Sequence, residues 1–177
     1  MDVPWLDRPQ LAAWVRVAAL LEVLPGTLDS QLRRDADVTL FEYFVLAMLS
    51  ESPTRSLRMS ELAAQTSATL PRLSHVVKRM EARGLVERHP DSDDRRATVA
   101  ALTAGGLARI EQAAPGHVRA VREHVVDVLS AEQLAQLTGI ADALLGSLDT
   151  SGGMAAMYRR YDDGAEDDNT AADDDAR

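Results

Sequence analysis

Residues 69–103, TLPRLSHVVKRMEARGLVERHPDSDDRRATVAALT, decide how this chain folds. Apolar side chains at positions 73, 76, 77 and 80 recur at helical spacing and predict a helix with one buried face. The opposite face carries polar and cationic side chains, namely Arg72, Ser74, His75, Lys78 and Arg79. Gly84 follows at a position where helices commonly end in a left-handed turn.

A short charged hairpin is predicted after Gly84. Residues 85–88 alternate apolar and charged side chains in the manner of a half-buried strand, and residues 97–102 would form the returning strand. The turn between them carries Asp91, Asp93, Asp94, Arg95 and Arg96. The two arginines either pair with these aspartates or are presented by the loop to a partner.

Two helices are predicted before this stretch. Thr39 to Glu42 forms a capping box, in which the threonine and glutamate side chains satisfy two free amides at a helix start. Residues 60–64 open a second, short helix with Ser60 at its start, and residues 65–68 form a turn. Thr69 then caps the third helix, with Pro71 in its first turn, where a missing amide hydrogen costs little. The order of elements predicts a winged helix-turn-helix, mainly α with a small β-wing.

Apolar helices flank this motif on both sides. The first carries an apolar face at Leu11, Trp14, Val15, Ala18 and Leu21. The last begins with a capping box at Ser130 and carries Leu134, Leu137, Leu144 and Leu148. Neither helix can bury its apolar face alone, so both are predicted to form a dimerisation layer. Residues 104–129 are expected to form one long helix that kinks at Pro115 and is not divided there.

The sequence resembles the MarR family of bacterial transcriptional regulators over about residues 8–148. The matching pieces occur in the family's order and spacing, and they are MSELA at 59–63, RMEARGLVER at 79–88, DDRR at 93–96 and ALTAGG at 101–106. The chain departs from the commonest family pattern at residues 69–71, where many relatives carry small polar residues. Operator specificity is therefore not carried over from the family.

This resemblance implies a homodimeric, sequence-specific DNA-binding regulator, most simply a repressor, that binds an inverted-repeat operator in double-stranded DNA. Four regions follow. They are an N-terminal dimerisation helix at 1–37, a DNA-binding lobe at 38–103, a long kinked helix and C-terminal dimerisation helix at 104–149, and an acidic tail at 150–177 that is expected to be disordered. One or two helical turns are predicted within this tail, at residues 154–161. The alternative is a winged-helix protein-interaction module that binds an acidic protein or the tail itself.

The expected DNA contacts divide by role. Side chains facing base edges in the major groove are predicted to be Arg72, Ser74, His75 and Arg79, while Thr69 and Lys78 touch phosphates. In relatives, an aspartate of the wing holds an arginine in position. By that resemblance Asp94 orients the loop, Arg96 enters the minor groove, and Arg95 reaches a phosphate or supports the loop.

A small aromatic effector is implied by the resemblance, bound where the dimerisation helices meet the DNA-binding lobe. The candidate lining residues are Trp14, Tyr43, Phe44 and His117. Side chains such as Trp14, Tyr43 and Phe44 are more often part of a core than contacts to a ligand, and a structural or surface role is favoured for His117.

Net charge is −9, which at first argues against binding to a polyanion. Its distribution reverses that conclusion. Residues 55–100 hold nine Lys and Arg against six Asp and Glu, a local excess of +3, whereas residues 150–177 hold three arginines against eight acids. Positive charge is therefore concentrated in the predicted DNA-binding lobe.

Several classes of protein are disfavoured. The chain has no cysteine, which excludes disulfides, thiolate metal sites and cysteine-based oxidation sensing. It shows no catalytic constellation, phosphate-binding loop or metal-ligand spacing, so no enzyme activity and no cofactor are expected. No apolar run long enough to span a bilayer and no secretory start are recognised, and a cytoplasmic location without a membrane partner is expected.

Overall fold

The computed structural model describes residues 4–159 and 162. In this part of the chain the helices are α1 (Arg8–Ala36), α2 (Leu40–Glu51), α3 (Met59–Gln65), α4 (Leu70–Ala82), α5 (Ala104–Val121), α6 (Ala131–Leu148) and α7 (Ala155–Tyr158). Three short strands are β1 (Ser56–Arg58), β2 (Val86–Pro90) and β3 (Thr98–Leu102), and a π-helical turn at Arg122–Val126 follows α5 directly. The mainly helical fold with a small wing is confirmed.

The core lies in the DNA-binding lobe around α2. Leu46 and Leu49 of α2 are fully buried with Leu62 of α3 and with Leu73 and Met80 of α4. These positions recur every three or four residues, so each helix turns one apolar stripe inward and leaves its other face to solvent. The predicted helical periodicity of residues 73–80 is therefore confirmed, with position 76 partly buried at the edge of the core.

Local capping signals mark where the helices begin. The capping box of Thr39 and Glu42 is present in both directions, and Thr69 accepts a hydrogen bond from the Arg72 amide at 3.4 Å. The prediction that Ser60 begins α3 was wrong, because that helix starts at Met59 after Arg58, which makes no side-chain cap.

The wing is a three-stranded antiparallel sheet in the order β1-β3-β2. The hairpin of β2 and β3 was predicted, with the end of β3 at Leu102 correct and the other boundaries displaced by one or two residues. Strand β1 was not predicted. It pairs with β3 through Leu57 opposite Ala100, and its three residues are too few to show an alternating pattern.

Gly84 and Gly106 lie where the wing and the start of α5 approach each other closely. Thr103 caps α5 by accepting from the Gly106 amide, and its hydroxyl donates to the Gly84 carbonyl at 2.7 Å. A side chain at Gly106 would place its Cβ 2.0 Å from the Leu85 carbonyl oxygen, so only glycine fits there. Gly84 itself has φ of 70°, in the left-handed region predicted for it. The ALTAGG sequence thus encodes a close approach of backbone to backbone.

Pro115 lies inside α5 without dividing it, as predicted. Helix α5 packs along the C-terminal half of α1, where Gly116 faces Gln31. The helical path continues beyond Val121 in the π-helical turn, whose wider hydrogen bonds lie well past the proline.

The remaining helical surface is strongly apolar. On α1 and just before it, large side chains from Trp5 to Val23 are exposed, and no residue of α6 is buried. By length and composition α1 could cross a membrane, with mean hydropathy of 1.5 over an 18-residue window, none of which is buried. The prediction that no apolar run is long enough was therefore wrong on length, although α1 also carries Arg16 and Glu22 in its apolar half.

The segment after α6 folds back onto the lobe. The Asp149 carboxylate accepts hydrogen bonds from the amides of Gly153 and Met154, and Met157 of α7 packs against the core next to α3. The single turn of α7 lies within residues 154–161, for which one or two turns were predicted. Most of the predicted acidic tail, residues 163–177, lies outside the described residues.

Candidate nucleic-acid interface

The outer face of α4 carries the cations that the sequence predicted. Arg72, His75, Lys78 and Arg79 are exposed, and Ser74 is partly buried beside them. Leu73, Val77 and Met80 anchor the opposite face in the core, so the orientation of the cationic face is fixed by packing. Thr69 stands exposed at the helix start, where its hydroxyl is used as a cap.

Arg72 is positioned by an aromatic ring of a neighbouring helix. Its guanidinium carbon lies 4.6 Å from the centre of the Phe41 ring on α2. A cation over an aromatic face is held without neutralising its charge, so Arg72 keeps its positive charge and its donors.

Arg79 differs from the other cations of α4. Its Nη2 donates to the buried carboxylate of Glu42 at 3.1 Å, while about half of its side chain remains exposed. Arg83, one turn further along, donates to the same carboxylate at 3.4 Å and also to Asp37. Arg79 therefore combines an inward ion pair with an outward surface, which periodicity alone did not reveal.

The aspartate that organises the wing is Asp91, and its arginine partner comes from outside the loop. Arg58 of β1 donates from Nε and Nη2 to Asp91 at 2.8 and 3.1 Å, and the amides of Asp93 and Asp94 donate to the same carboxylate. The suggestion that Asp91 pairs with Arg95 or Arg96 was wrong, because Arg58 occupies it.

Asp94 acts on the backbone next to it. Its carboxylate accepts a hydrogen bond from the Arg96 amide at 3.0 Å. Within residues 4–159, neither Arg95 nor Arg96 makes a salt bridge, and both side chains are exposed at the tip of the wing. The loop thus presents two unneutralised guanidinium groups.

The arginines and lysine of this lobe fall into two sets. Within the lobe, residues 38–103, the cations that make salt bridges are Arg58, Arg79, Arg83 and Arg88. The cations without one are Arg55, Arg72, Lys78, Arg95 and Arg96. Four of the five in the second set belong to α4 and the wing tip, which are the parts of a winged helix that reach a nucleic acid.

The hydrogen bonds to Asp91 make wing stability depend on pH. The Arg58 guanidinium and the two loop amides hold the pKa of Asp91 well below its usual range. A carboxylate whose pKa is lowered on folding stabilises the fold at pH values above its pKa in the unfolded chain, which is about 3.9. This stabilisation is lost as the pH falls toward the pKa of the carboxylate in the folded protein.

Replacing Asp91 with asparagine should therefore lower the free energy of unfolding at neutral pH, and the difference from wild type should shrink below about pH 4. Denaturant unfolding from pH 7 to pH 3 measures it. Asp93→Asn is the matched control, since Asp93 is exposed and is paired with no arginine in the described residues. Equal behaviour of the two variants would show that the Arg58–Asp91 pair does not hold the wing.

The candidate effector residues are only partly brought together. The rings of Tyr43 and His117 lie 4.4 Å apart, and His117 Nδ1 is buried without a hydrogen-bond partner among the described residues. Burial lowers the pKa of His117, which favours the neutral imidazole. Phe44 follows Tyr43 on α2, so it points roughly 100° away around the helix.

Trp14 does not reach the Tyr43–His117 pair within one chain. Gly116 faces Gln31 of α1, and Trp14 lies 17 residues before Gln31, or roughly 25 Å along the helix. Its indole is exposed on the free half of α1. Among the described residues, no group of three or more His, Asp or Glu side chains is placed to hold a metal ion.

The fold and this surface define a winged helix-turn-helix protein. A profile of the MarR family matches residues 36–97. Sco3205 of Streptomyces coelicolor, a MarR family transcriptional regulator solved in complex with DNA, is 39% identical, with a TM-score of 0.81 over 83% of this chain and 92% of that one. AbsC of the same organism is 35% identical, with a TM-score of 0.79 over 82% of this chain and 98% of that one. The chain belongs to the MarR family of transcriptional regulators.

A more distant structure shares the fold. A mutant MarR from E. coli, solved in complex with operator DNA, is 22% identical, with a TM-score of 0.69 over 80% of this chain and 99% of that one. The arrangement of helices and wing is therefore kept at low sequence identity.

Proposed function

We propose that this chain is a homodimeric, cytoplasmic repressor that binds an inverted-repeat operator in double-stranded DNA. The observation that carries the proposal is the segregation of cations in the lobe. Arg58, Arg83 and Arg88 are bound to carboxylates and hold the fold together, while Arg72, Lys78, Arg95 and Arg96 on α4 and the wing tip make no salt bridge. Arg79 on α4 is paired with Glu42 but keeps an exposed side. Binding to phosphates requires such free positive charge. Because the net charge of the chain is −9, the concentration of free cations on one surface is not explained by overall composition.

Roles for individual residues follow from their surroundings. Arg72, Ser74, His75 and Arg79 are assigned to base edges in the major groove, since α4 offers them on one face. Thr69 and Lys78 are assigned to phosphates. Arg96 is assigned to the minor groove beside each half-site, with Asp94 fixing its backbone and Arg95 reaching a phosphate.

The dimer is supported by the apolar surfaces of α1 and α6, which one chain leaves exposed. In this proposal residues 1–37 and 104–149 supply the dimerisation helices and residues 38–103 supply the DNA-binding lobe. Two-fold symmetry then places two recognition helices on one face of the duplex.

Release by a small aromatic effector completes the proposal. It rests on the Tyr43–His117 pair, where a buried, unpartnered imidazole nitrogen stands beside an aromatic ring between α2 and α5. A ligand acts there only if it favours one spacing of the two lobes over another.

The salt dependence of binding to a duplex separates this function from a protein-interaction module. For an operator-binding regulator, the logarithm of affinity should fall with the logarithm of salt concentration, with a slope of about −0.9 for each phosphate neutralised. Fluorescence anisotropy with a labelled duplex, repeated over a series of salt concentrations, measures this slope. Poly-aspartate added as a competitor then tests whether the protein prefers an acidic polymer to DNA. A shallow slope together with preferred binding of poly-aspartate would favour the interaction module.

A further inference from the structure

Glu42 is the one acidic side chain among those described that is buried against the recognition helix. Only 3% of its surface is exposed. Its carboxylate accepts hydrogen bonds from the Thr39 amide at 2.9 Å, from Arg79 at 3.1 Å and from Arg83 at 3.4 Å. One carboxylate thus joins the start of α2 to two positions, four residues apart, near the end of α4.

Capping alone does not require this charge. The described residues contain two other capping boxes, at the starts of α1 and α6, and in both the reciprocal partner is a glutamine, Gln10 or Gln133. Those amides accept from the capping residue's backbone at 3.0 and 2.9 Å, as Glu42 does from Thr39. A glutamate rather than a glutamine at position 42 is therefore explained by the two arginines and not by the helix start.

The same contacts extend to α1. Arg83 also donates to the backbone carbonyl and the carboxylate of Asp37, the residue that ends α1 with φ of 51°. The Asp29 carboxylate of α1 accepts from the Leu40 amide at 2.8 Å. The groups around Glu42 border a polar cavity of about 250 Å³ at the junction of α1, α2 and α4. The end of α4 is thus tied to both neighbouring helices.

We infer that Glu42 is a positioning residue for DNA recognition, which sets the rotation of α4 and the direction of the Arg79 side chain. The inference rests on the proposed function. Arg79 uses Nη2 to reach Glu42, and its remaining donors are free to face the DNA. Base contacts need all side chains of the helix in register, whereas flexible phosphate contacts adapt to a small rotation. Loss of the Glu42 charge should therefore reduce discrimination more than general affinity.

The test is Glu42→Gln, which keeps the size of the side chain and the capping acceptor that Gln10 and Gln133 provide elsewhere. The ratio of affinities for operator and random DNA should fall by about tenfold, the effect of one lost base contact. Glu111→Gln, which removes one exposed carboxylate of α5, is the matched control and should keep the wild-type ratio. In the Arg79→Ala background, Glu42→Gln should reduce discrimination less than it does in the wild-type background, because only the Arg83 contact is left for it to weaken.

Amide hydrogen exchange supplies a readout that needs no DNA. Residues 79–84 should exchange faster in Glu42→Gln than in wild type, measured well below the unfolding temperature. A variant that only unfolds at lower temperature, with unchanged exchange and discrimination, would overturn the inference. If exchange is faster in Glu42→Gln but the wild-type protein binds no DNA sequence in preference to random DNA, the proposed function fails. The role of Glu42 in holding the end of α4 would then still stand.

Discussion

Replacing Ile140 and Leu144 with aspartate is expected to yield monomers that bind the operator roughly 100-fold more weakly, because a dimer gains affinity by engaging two half-sites at once. Both side chains are exposed on α6 in the single chain, where they continue one apolar stripe with Leu137 and Leu148. Two charges placed in that stripe would be buried without partners in a dimer, which is costly.

Analytical ultracentrifugation of the variant measures the mass, and titration with operator DNA measures the affinity. Ala135→Asp with Thr138→Asp is the matched control, since both positions are exposed on α6 outside the stripe. Truncation after Leu129 is a poorer test, because it also removes Met157, which packs against the lobe. A stable dimer after the Ile140 and Leu144 changes would refute the role given to α6.

The same measurement addresses the membrane alternative for α1. A dimer interface and a bilayer both cover apolar side chains, and the helix is long enough for either. Wild-type protein that requires detergent to remain in solution would favour a membrane role. If the wild-type protein is a dimer without detergent and the α6 substitutions make it monomeric, the apolar surface is covered by the partner subunit and not by a bilayer.

Replacing Arg72 with alanine is expected to weaken operator binding by about 1–3 kcal/mol and to relax the preference at one base position of each half-site. The reason is its setting, since Arg72 is exposed on α4 and the Phe41 ring holds its guanidinium without neutralising it. A bidentate contact from such a group to a guanine edge discriminates strongly against the wrong base.

Lys78→Ala is the matched comparison on the same helix. It should weaken binding to all duplexes alike and reduce the magnitude of the salt slope by about one unit for each subunit. Affinities for the operator, for single-base variants of it and for random DNA decide between the roles. If Arg72→Ala and Lys78→Ala lower specific and random binding by the same factor, the assignment of Arg72 to base edges fails.

Local signals in the sequence predicted most of the lobe. A capping box needs residues only three apart, as at Thr39 and Glu42, and a left-handed turn needs the single residue Gly84. Helical periodicity needs a window of about a dozen residues. Each of these features is determined by neighbours along the chain, so each could be recognised before the fold was known.

Pairings between distant residues could not be predicted in this way. Arg58 and Asp91 are 33 residues apart, and Glu42 lies 37 residues from Arg79. Arg95 and Arg96 lie closer to Asp91 in the sequence and were suggested as its ion-pair partners, but Arg58 is the partner in the structure. Strand β1 is stabilised by pairing with β3, and its three residues carry no sufficient local signal. The turn at residues 155–158 was predicted, but the contacts that hold it against the core were not.

The most direct test of operator binding is selection of bound duplexes from a random pool with the wild-type dimer. We expect an inverted repeat whose half-sites are separated by about one helical turn, roughly 10 bp centre to centre. Outside each half-site, A·T pairs should be enriched where Arg96 enters the narrow minor groove. Enrichment of a single unpaired half-site, or of no sequence at all, would contradict the proposed dimeric repressor.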